Sequence, residues 1–217
     1  MNNYYIFNIG NGRCGTGSLT KALNILGIPT IHYETEDKHV IENRVVYNLN
    51  AGQQLLRPLD QKYRGFSDFG GEHYFKKLYA QYPNSKFIYT DRYFPDYLRS
   101  FVALKITGEP NQFKQGMAER WILYYTYIYF ERKNEILDFF KDKSDQFLHI
   151  DIPSGDGWDK LCPFLDLEIP DIDFPYQHKN SDIGGKPFTW TYTWEDNKFG
   201  LGGKQPRPAS SDGIVRK

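Results

Sequence analysis

A glycine-rich loop near the N-terminus carries residue types that bind anions. Its four glycines are Gly10, Gly12, Gly15 and Gly17. The apolar run at residues 4–9 predicts a buried strand before the loop, and the apolar spacing after residue 16 predicts a helix. Unpaired backbone N–H groups and the helix dipole attract anions to a helix N-terminus, and Arg13 adds a full cation. We therefore expect this loop to hold a phosphate or sulfate group.

An ATP-type phosphate loop is the first interpretation of this segment. Its pattern is G-x-x-x-x-G-K-[ST], and Gly10 and Gly15 have the required spacing. The position of the lysine, however, is occupied by Thr16. This departure argues against an ordinary kinase or ATPase.

A dinucleotide-binding loop is the second interpretation. The pattern G-x-G-x-x-G matches residues 10–15, and Glu34 and Glu36 follow about 20 residues later, where an acid would bind a ribose. This pattern is weak evidence by itself, and Arg13 within the turn is unusual for it. A dehydrogenase that uses NAD(P) therefore stays open as an alternative, as does a glycine turn without a ligand.

A second candidate anion site follows the predicted strand at residues 86–90. Arg92 comes at the end of that strand, and Ser100 comes eight residues later in the next predicted helix. A guanidinium offers a bidentate fork to a phosphate, and a hydroxyl on the adjacent helix supplies a further donor. The plain alternatives are a surface salt bridge for Arg92 and a helix-surface serine for Ser100.

These motifs together resemble those of the P-loop sulfotransferases, and most closely their small, soluble, bacterial-type members. The stretch R-C-G-T-G-S at residues 13–18 is similar to the [KR]-x-G-T-[TGS]-[SW] loop of that family. Further similar stretches are Y-P-N-S-K-F-I-Y-T-D-R at 82–92, the strand and helix at 151–165, and the proline-rich turn at 169–175. The resemblance covers roughly residues 4–180. The chain departs from it in having Arg13 where lysine is common, and in lacking the histidine motif of the cytosolic steroid and phenol enzymes.

The resemblance implies transfer of a sulfonyl group from 3′-phosphoadenosine 5′-phosphosulfate (PAPS). The acceptor would be a hydroxyl or amine on a small molecule or carbohydrate. In the family, an arginine and a serine at the positions of Arg92 and Ser100 hold the 3′-phosphate. The 5′-phosphosulfate would contact the loop through Arg13, Cys14, Gly15, Thr16, Gly17 and Ser18. No metal is required if cationic side chains neutralise the leaving phosphate.

The general base is expected after the third predicted strand, where the sequence reads F-S-D-F-G-G-E-H. Asp68 is the first candidate, because it ends that strand at the edge where a crevice should open. Glu72 and His73 come next, and His32 and Glu34 at the end of the second strand are also within reach. An N-cap role for the following helix would suit Asp68 equally well.

The elements that must position these residues alternate between strands and helices. This order predicts an α/β protein with a three-layer P-loop fold, in which helices flank a central parallel sheet. Ligands bind beyond the carboxyl ends of such strands. The predicted strands are 4–9, 28–34, 65–69, 86–90 and 146–151. The predicted helices are 16–26, 40–49, 51–59, 72–82, 95–105, 117–141 and 156–165.

The C-terminal part of the chain is less regular. Residues 188–194 alternate between aromatic residues and threonine, which predicts a strand whose aromatic face is buried or lines the acceptor pocket. Residues 200–217 have the composition of a mobile tail. The sequence therefore predicts one sulfotransferase-like domain over residues 1–199, followed by this tail.

Composition limits the classes of partner. Lys and Arg total 27, as do Asp and Glu, so the balance predicts no nucleic-acid or membrane partner. Cys14 and Cys162 have neither a disulfide pattern nor a metal-ligand spacing. The absence of a signal-peptide pattern and of a membrane-length apolar run predicts a cytoplasmic protein, with the lumenal domain of a Golgi enzyme as the alternative. The composition does not indicate an oligomeric state, and a non-catalytic nucleotide-binding protein stays open.

Overall fold

The computed structural model describes residues 4–108, 115–176, 189–193 and 198–202. The chain divides into two compact units, Met1–Lys179 and Asn180–Lys217. In the first unit, five strands form one sheet in the order β2-β3-β1-β4-β5, and every pairing in it is parallel. The predicted α/β fold with a central parallel sheet is therefore confirmed.

The five strands are β1 (Ile6–Asn8), β2 (Thr30–His32), β3 (Gly65–Ser67), β4 (Lys86–Thr90) and β5 (Phe147–Ile150). The α-helices described in this unit are α1 (Thr16–Ile25), α2 (Ile41–Asn50), α3 (Gly71–Gln81), α4 (Phe94–Gly108), α5 (Gln115–Phe140) and α6 (Trp158–Leu165). The connections between the parallel strands run through helices, as parallel pairing requires. Each strand predicted in this unit is present, although most are shorter than predicted.

Helices cover both faces of the sheet, which gives the three layers. On one face, Phe7 and Phe87 pack in a buried cluster with apolar residues of α2, α3 and α5. On the other face, Ile6, Ile88 and Ile150 pack with residues of α1 and α6. Alternate residues of β1 thus enter opposite cores, as the two-residue repeat of a strand requires.

One predicted helix is wrong. Residues 51–59 form turns that end in a short 3₁₀ segment, Leu59–Gln61. The reason lies in the buried side chain of Asn48, whose Nδ2 donates to the carbonyl oxygens of Leu55 at 2.9 Å and Arg57 at 2.7 Å. These bonds come from a residue outside the segment and hold its carbonyl groups in a turn, so contacts beyond residues 51–59 override the local pattern.

The second unit contains two antiparallel strands, β6 (Thr189–Thr193) and β7 (Lys198–Gly202). Strand β6 agrees with the strand predicted at 188–194, but its side chains lie outside the described residues, so their place in a pocket stays a prediction. Strand β7 runs across the boundary predicted between residues 199 and 200. The tail predicted at 200–217 falls outside the described residues from position 203 onwards.

Over the described ranges, none of the helices is both long and apolar enough to cross a membrane.

Candidate active site

The carboxyl ends of the three central strands are tied together by one buried amide. Asn8, at the end of β1, donates from Nδ2 to Oγ of Ser67 at 3.0 Å. Its Oδ1 accepts from the backbone N–H of Gly10 at 3.0 Å and from Oγ1 of Thr90 at 3.1 Å. The sequence analysis missed this residue, although a polar residue within an apolar strand was the available signal. Asn8 thereby anchors the start of the glycine loop to the neighbouring strands β3 and β4.

Two glycines of the loop occupy positions where a side chain would clash or strain the backbone. A Cβ atom on Gly10 would lie 2.2 Å from the carbonyl oxygen of Thr90. Gly15 has φ +87°, in the left-handed region, and a Cβ there would lie 3.1 Å from Cβ of Ile152. Helix α1 begins directly after Gly15 without a side-chain cap from that residue. The first N–H groups of α1 have no acceptor within the helix, so this end of the loop has donors suited to the anion that the sequence predicts there.

Arg13 connects the two predicted anion-binding motifs. Its Nε donates to Oγ of Ser100 at 3.0 Å, while Nη1 of Arg92 donates to the Arg13 carbonyl oxygen at 3.0 Å. The sequence predicted that Arg92 and Ser100 bind the same 3′-phosphate, which stays a prediction, and the structure adds that Arg13 contacts both of them. Burial lowers the pKa of Arg13, and the nearby charge of Arg92 lowers it further. Two guanidinium groups are therefore held close together at this edge of the sheet.

The guanidinium of Arg92 retains unused donor capacity. Its Nε is buried and has no hydrogen-bond partner among the described residues. A buried N–H of this kind is costly unless something binds it. Together with the charge of Arg13, it provides donors that suit an anionic group.

Asp68 faces the glycine loop, as predicted for a general base. It follows β3 with φ +54°, and a Cβ placed on Gly12 would lie 3.1 Å from its Oδ1. Its Oδ2 lies 3.5 Å from Nε2 of His32, and that nitrogen lies 3.1 Å from Oγ1 of Thr16. Burial raises the pKa of Asp68, while the charges of His32 and Arg13 oppose the rise. A carboxyl group with a raised pKa beside an anion loop has the character of an acid–base group.

The other base candidates occupy different environments. Glu72 lies in the first turn of α3 and is mostly buried, and burial raises its pKa to about 8. His73 is more exposed, with Nε2 3.7 Å from the Glu72 carboxylate, and burial together with Arg132 lowers its pKa. Glu34 forms an ion pair with Lys38 at 2.6 Å. Glu72 is therefore the more buried of the two candidates on α3.

A cleft of about 840 Å³ brings Arg13 and the base candidates together, whereas Arg92 and Ser100 are not among its lining residues. The predicted site residues on its walls are Arg13, His32, Glu34, Asp68, Glu72 and His73. Aromatic side chains of α4 and α5 form another wall of the cleft: Tyr97, Phe101, Tyr124 and Tyr125. Such a combination of aromatic surface with a few polar groups is typical of a small-molecule site.

Three residues of the predicted donor loop have buried side chains. Cys14, Thr16 and Ser18 are each at most 5% exposed. The side chain of Cys14 packs with Tyr97 and Tyr129, and burial raises the pKa of its thiol. At this loop position a ligand would meet the backbone of Cys14 rather than its sulfur atom.

The dinucleotide interpretation is not supported by the strand order. In the usual dinucleotide-binding order β2 lies beside β1, whereas here β3 lies between them. Glu36 is exposed and pairs with Lys62 at 2.7 Å, and Glu34 pairs with Lys38. Within the described ranges, no group of three or more His, Cys, Asp or Glu side chains is arranged to hold a metal ion.

Comparison with known proteins identifies the family. A family model described as a sulfotransferase domain matches residues 5–122 and 110–183. The fold is similar to the crystal structure of a sulfotransferase from Alicyclobacillus acidocaldarius, with a TM-score of 0.55 and 15% sequence identity over 82% of this chain and 87% of that chain. A search of curated proteins found no match. Because the family model spans well over half of the sequence, this chain belongs to the sulfotransferase family.

Proposed function

We propose that this protein transfers a sulfonyl group from PAPS to a hydroxyl or amine of a small-molecule or carbohydrate acceptor. The observation that carries the proposal is the position of Arg13. Its guanidinium lines the cleft that contains Asp68, and its Nε is bonded to Ser100 while its carbonyl oxygen is bonded to Arg92. One residue thus joins the proposed donor-binding groups to the proposed base.

The residues of the glycine loop and its surroundings fit the anionic groups of PAPS. The first N–H groups of α1 and the guanidinium of Arg13 would hold the 5′-phosphosulfate. Arg92 would bind the 3′-phosphate, which gives its buried Nε an acceptor. When bound, PAPS supplies the activated sulfonyl group. The charge of Arg13 then stabilises the negative charge that develops on the leaving phosphate.

On the acceptor side, Asp68 would remove the proton from the attacking group. Its carboxylate faces the loop from the end of β3, so an acceptor in the cleft can lie between the base and the donor. His32 stands beside it, with Nε2 near both Thr16 and Asp68, and keeps the carboxylate oriented. Burial raises the pKa of Asp68, which makes its carboxylate a better proton acceptor for the attacking group. Aromatic residues of α4 and α5 would then provide the apolar surface on which the acceptor packs.

Ligand-induced stabilisation tests the donor assignment. At one hundred times its Kd, a ligand that binds only the folded state stabilises it by about 2.7 kcal/mol. We expect adenosine 3′,5′-bisphosphate to raise the Tm far more than AMP, NAD or ATP at equal concentration, because only the bisphosphate has a 3′-phosphate. Equal stabilisation by AMP or NAD would show that the donor is not PAPS.

A transfer assay separates an enzyme from a non-catalytic nucleotide-binding protein. Purified protein is incubated with PAPS and a panel of phenols, alcohols, amines and sugars, and sulfated products are sought by mass spectrometry. Asp68→Asn serves as the inactive control on the same panel. Binding of the bisphosphate without turnover of any acceptor would favour the non-catalytic alternative.

A further inference from the structure

The carboxylate of Asp91, which directly precedes Arg92, forms hydrogen bonds with the backbone after β4, with helix α5 and with strand β5. Its Oδ1 accepts from the backbone N–H of Arg92 at 2.8 Å and lies 2.9 Å from the hydroxyl of Tyr129. Its Oδ2 lies 2.8 Å from Nε2 of His149 and accepts a hydrogen bond from Nζ of Lys133. Asp91 is 7% exposed. A carboxylate this deeply buried, with this many partners, holds its surroundings in one arrangement.

These bonds hold the backbone of Arg92 on both sides. The hydroxyl of Tyr129, which has one proton to donate, lies 2.6 Å from the Arg92 carbonyl oxygen and 2.9 Å from Oδ1 of Asp91, so it can donate to either of them. The backbone N–H of Arg92 donates to Oδ1 of Asp91, and Nη1 of Arg92 donates to the Arg13 carbonyl oxygen. Asp91 therefore fixes the backbone from which the Arg92 side chain extends, and the bond from Nη1 to the Arg13 carbonyl oxygen links that side chain to the glycine loop.

Helix α5 connects this cluster with the cleft. Tyr129 and Lys133 of α5 bond Asp91, and Tyr125, one turn earlier, lines the cleft. The hydrogen bonds of Asp91 outweigh its burial and keep the pKa of the carboxyl below its usual value. Asp91 therefore presents a charged acceptor to α5 across the physiological pH range.

We propose that Asp91 is a positioning residue, which holds Arg92 and, through it, the glycine loop in a binding geometry only while α5 is docked through Tyr129 and Lys133. This proposal rests on the proposed function, because it takes Arg92 as the ligand of a 3′-phosphate. Asp91 itself touches neither donor nor acceptor in this scheme. Its effect must therefore pass through Arg92.

A double-mutant cycle separates such positioning from a role in stability alone. The readout is the ratio of Kd values for AMP and adenosine 3′,5′-bisphosphate, measured by calorimetry on the full chain. We expect Asp91→Asn to lower this ratio about tenfold and Tyr129→Phe about threefold to tenfold. In an Arg92→Ala background neither change should lower the ratio further, because the group through which they act is gone. Unchanged ratios in Asp91→Asn and Tyr129→Phe proteins of reduced Tm would overturn the proposal.

Tyr89→Phe is the matched control for Tyr129→Phe. It also removes a buried tyrosine hydroxyl, two residues before Asp91, but that hydroxyl has no hydrogen-bond partner among the described residues. We expect Tyr89→Phe to leave the ratio unchanged. An equal loss of the ratio in Tyr89→Phe would count against a specific role for the Tyr129 hydroxyl and for the cluster.

A second readout keeps this test independent of the donor assignment. Hydrogen exchange measured by mass spectrometry should be faster in Asp91→Asn and Tyr129→Phe over residues 90–93 and over the glycine loop at 10–18. If the wild type does not distinguish the bisphosphate from AMP, the proposed function fails. In that case hydrogen exchange still tests whether Asp91 holds Arg92 and the glycine loop in place. Unchanged exchange rates over both segments would contradict that role of Asp91.

Discussion

Nε of Arg13 donates a hydrogen bond to Oγ of Ser100 at 3.0 Å, although the two residues are 87 positions apart. Ser100 is 2% exposed, so its hydroxyl is buried against the arginine rather than open to solvent. The bond fixes the Nε edge of the guanidinium, and Arg13 also lines the cleft. The orientation of the cation at the proposed donor site therefore depends on helix α4.

The charge of Arg13 is expected to matter most in the transition state. Arg13→Ala should lower kcat more than it weakens binding of adenosine 3′,5′-bisphosphate, because negative charge builds on the leaving group during transfer. Steady-state kinetics and calorimetry measure the two effects. The control is Arg99→Ala, which removes an exposed arginine that pairs with Asp96 on α4. This control should change neither kcat nor the Kd of the bisphosphate. Equal kcat values for wild type and Arg13→Ala would remove this role.

Ser100→Ala is expected to act through Arg13. Loss of this buried hydrogen bond should weaken binding of the bisphosphate about threefold to tenfold. The same substitution should have little effect in an Arg13→Ala background, because its partner is already absent. If the effect instead disappears only in an Arg92→Ala background, Ser100 binds together with Arg92, as the sequence predicted.

Arg92 is expected to distinguish ligands by their 3′-phosphate. Arg92→Ala should cost about 1.5–3 kcal/mol in binding of adenosine 3′,5′-bisphosphate, the range for a charged hydrogen bond, and far less for AMP. Arg92→Lys should not restore full affinity, since lysine lacks the planar fork and cannot supply the buried Nε. Calorimetry with both ligands checks this. Normal affinity of Arg92→Ala for the bisphosphate would show that the 3′-phosphate is bound elsewhere.

Asp68→Asn is expected to fold, to bind the bisphosphate normally and to lose about a hundredfold to ten-thousandfold in kcat. Since the base acts as the carboxylate, the wild-type rate should fall as pH is lowered through the raised pKa of Asp68. The variant should lack this dependence. Asp37→Asn, which changes an exposed aspartate, is the control. Near-normal kcat for Asp68→Asn would move the base to Glu72, His73, Glu34 or His32.

Glu72 is expected to make stability depend on pH. Burial raises its pKa to about 8 in the folded state, whereas the unfolded chain ionises it near the ordinary value of 4.5. The unfolded state therefore loses this proton first, and the free energy of unfolding falls as pH rises between these two values. Below the lower value, both states are protonated and Glu72 contributes no pH dependence.

Thermal unfolding from about pH 5 to pH 8 checks this contribution. Glu72→Gln should lose less Tm over that range than the wild type, because glutamine has no proton to release. The control is Glu36→Gln, which alters an exposed carboxylate that Lys62 holds in its charged form by a hydrogen bond. The same loss of Tm in wild type and Glu72→Gln would show that Glu72 is not protonated in the folded protein.

Local sequence patterns were sufficient for the fold and for the loop. The apolar repeats that define β1, α1 and β4 are short-range, and the glycine spacing of the loop is visible in the sequence, although the clash that excludes a side chain at Gly10 is with the distant Thr90. The predicted helix at 51–59 failed because Asn48, a residue outside that segment, bonds its carbonyl groups. No pattern within residues 51–59 contains that information.

Residue patterns predicted an α/β sheet, a glycine loop with Arg13, and an arginine and a serine after β4. How these residues are connected becomes visible only in the folded protein: Ser100 bonds Arg13, Arg92 bonds the Arg13 backbone, and Asp91 bonds residues of α5 and β5 beside Arg92. The physical reason is that a hydrogen bond depends on distance and direction in space, whereas residue spacing reports only on neighbours along the chain. Burial is likewise a property of the folded protein, and burial raises the pKa values of Asp68 and Glu72.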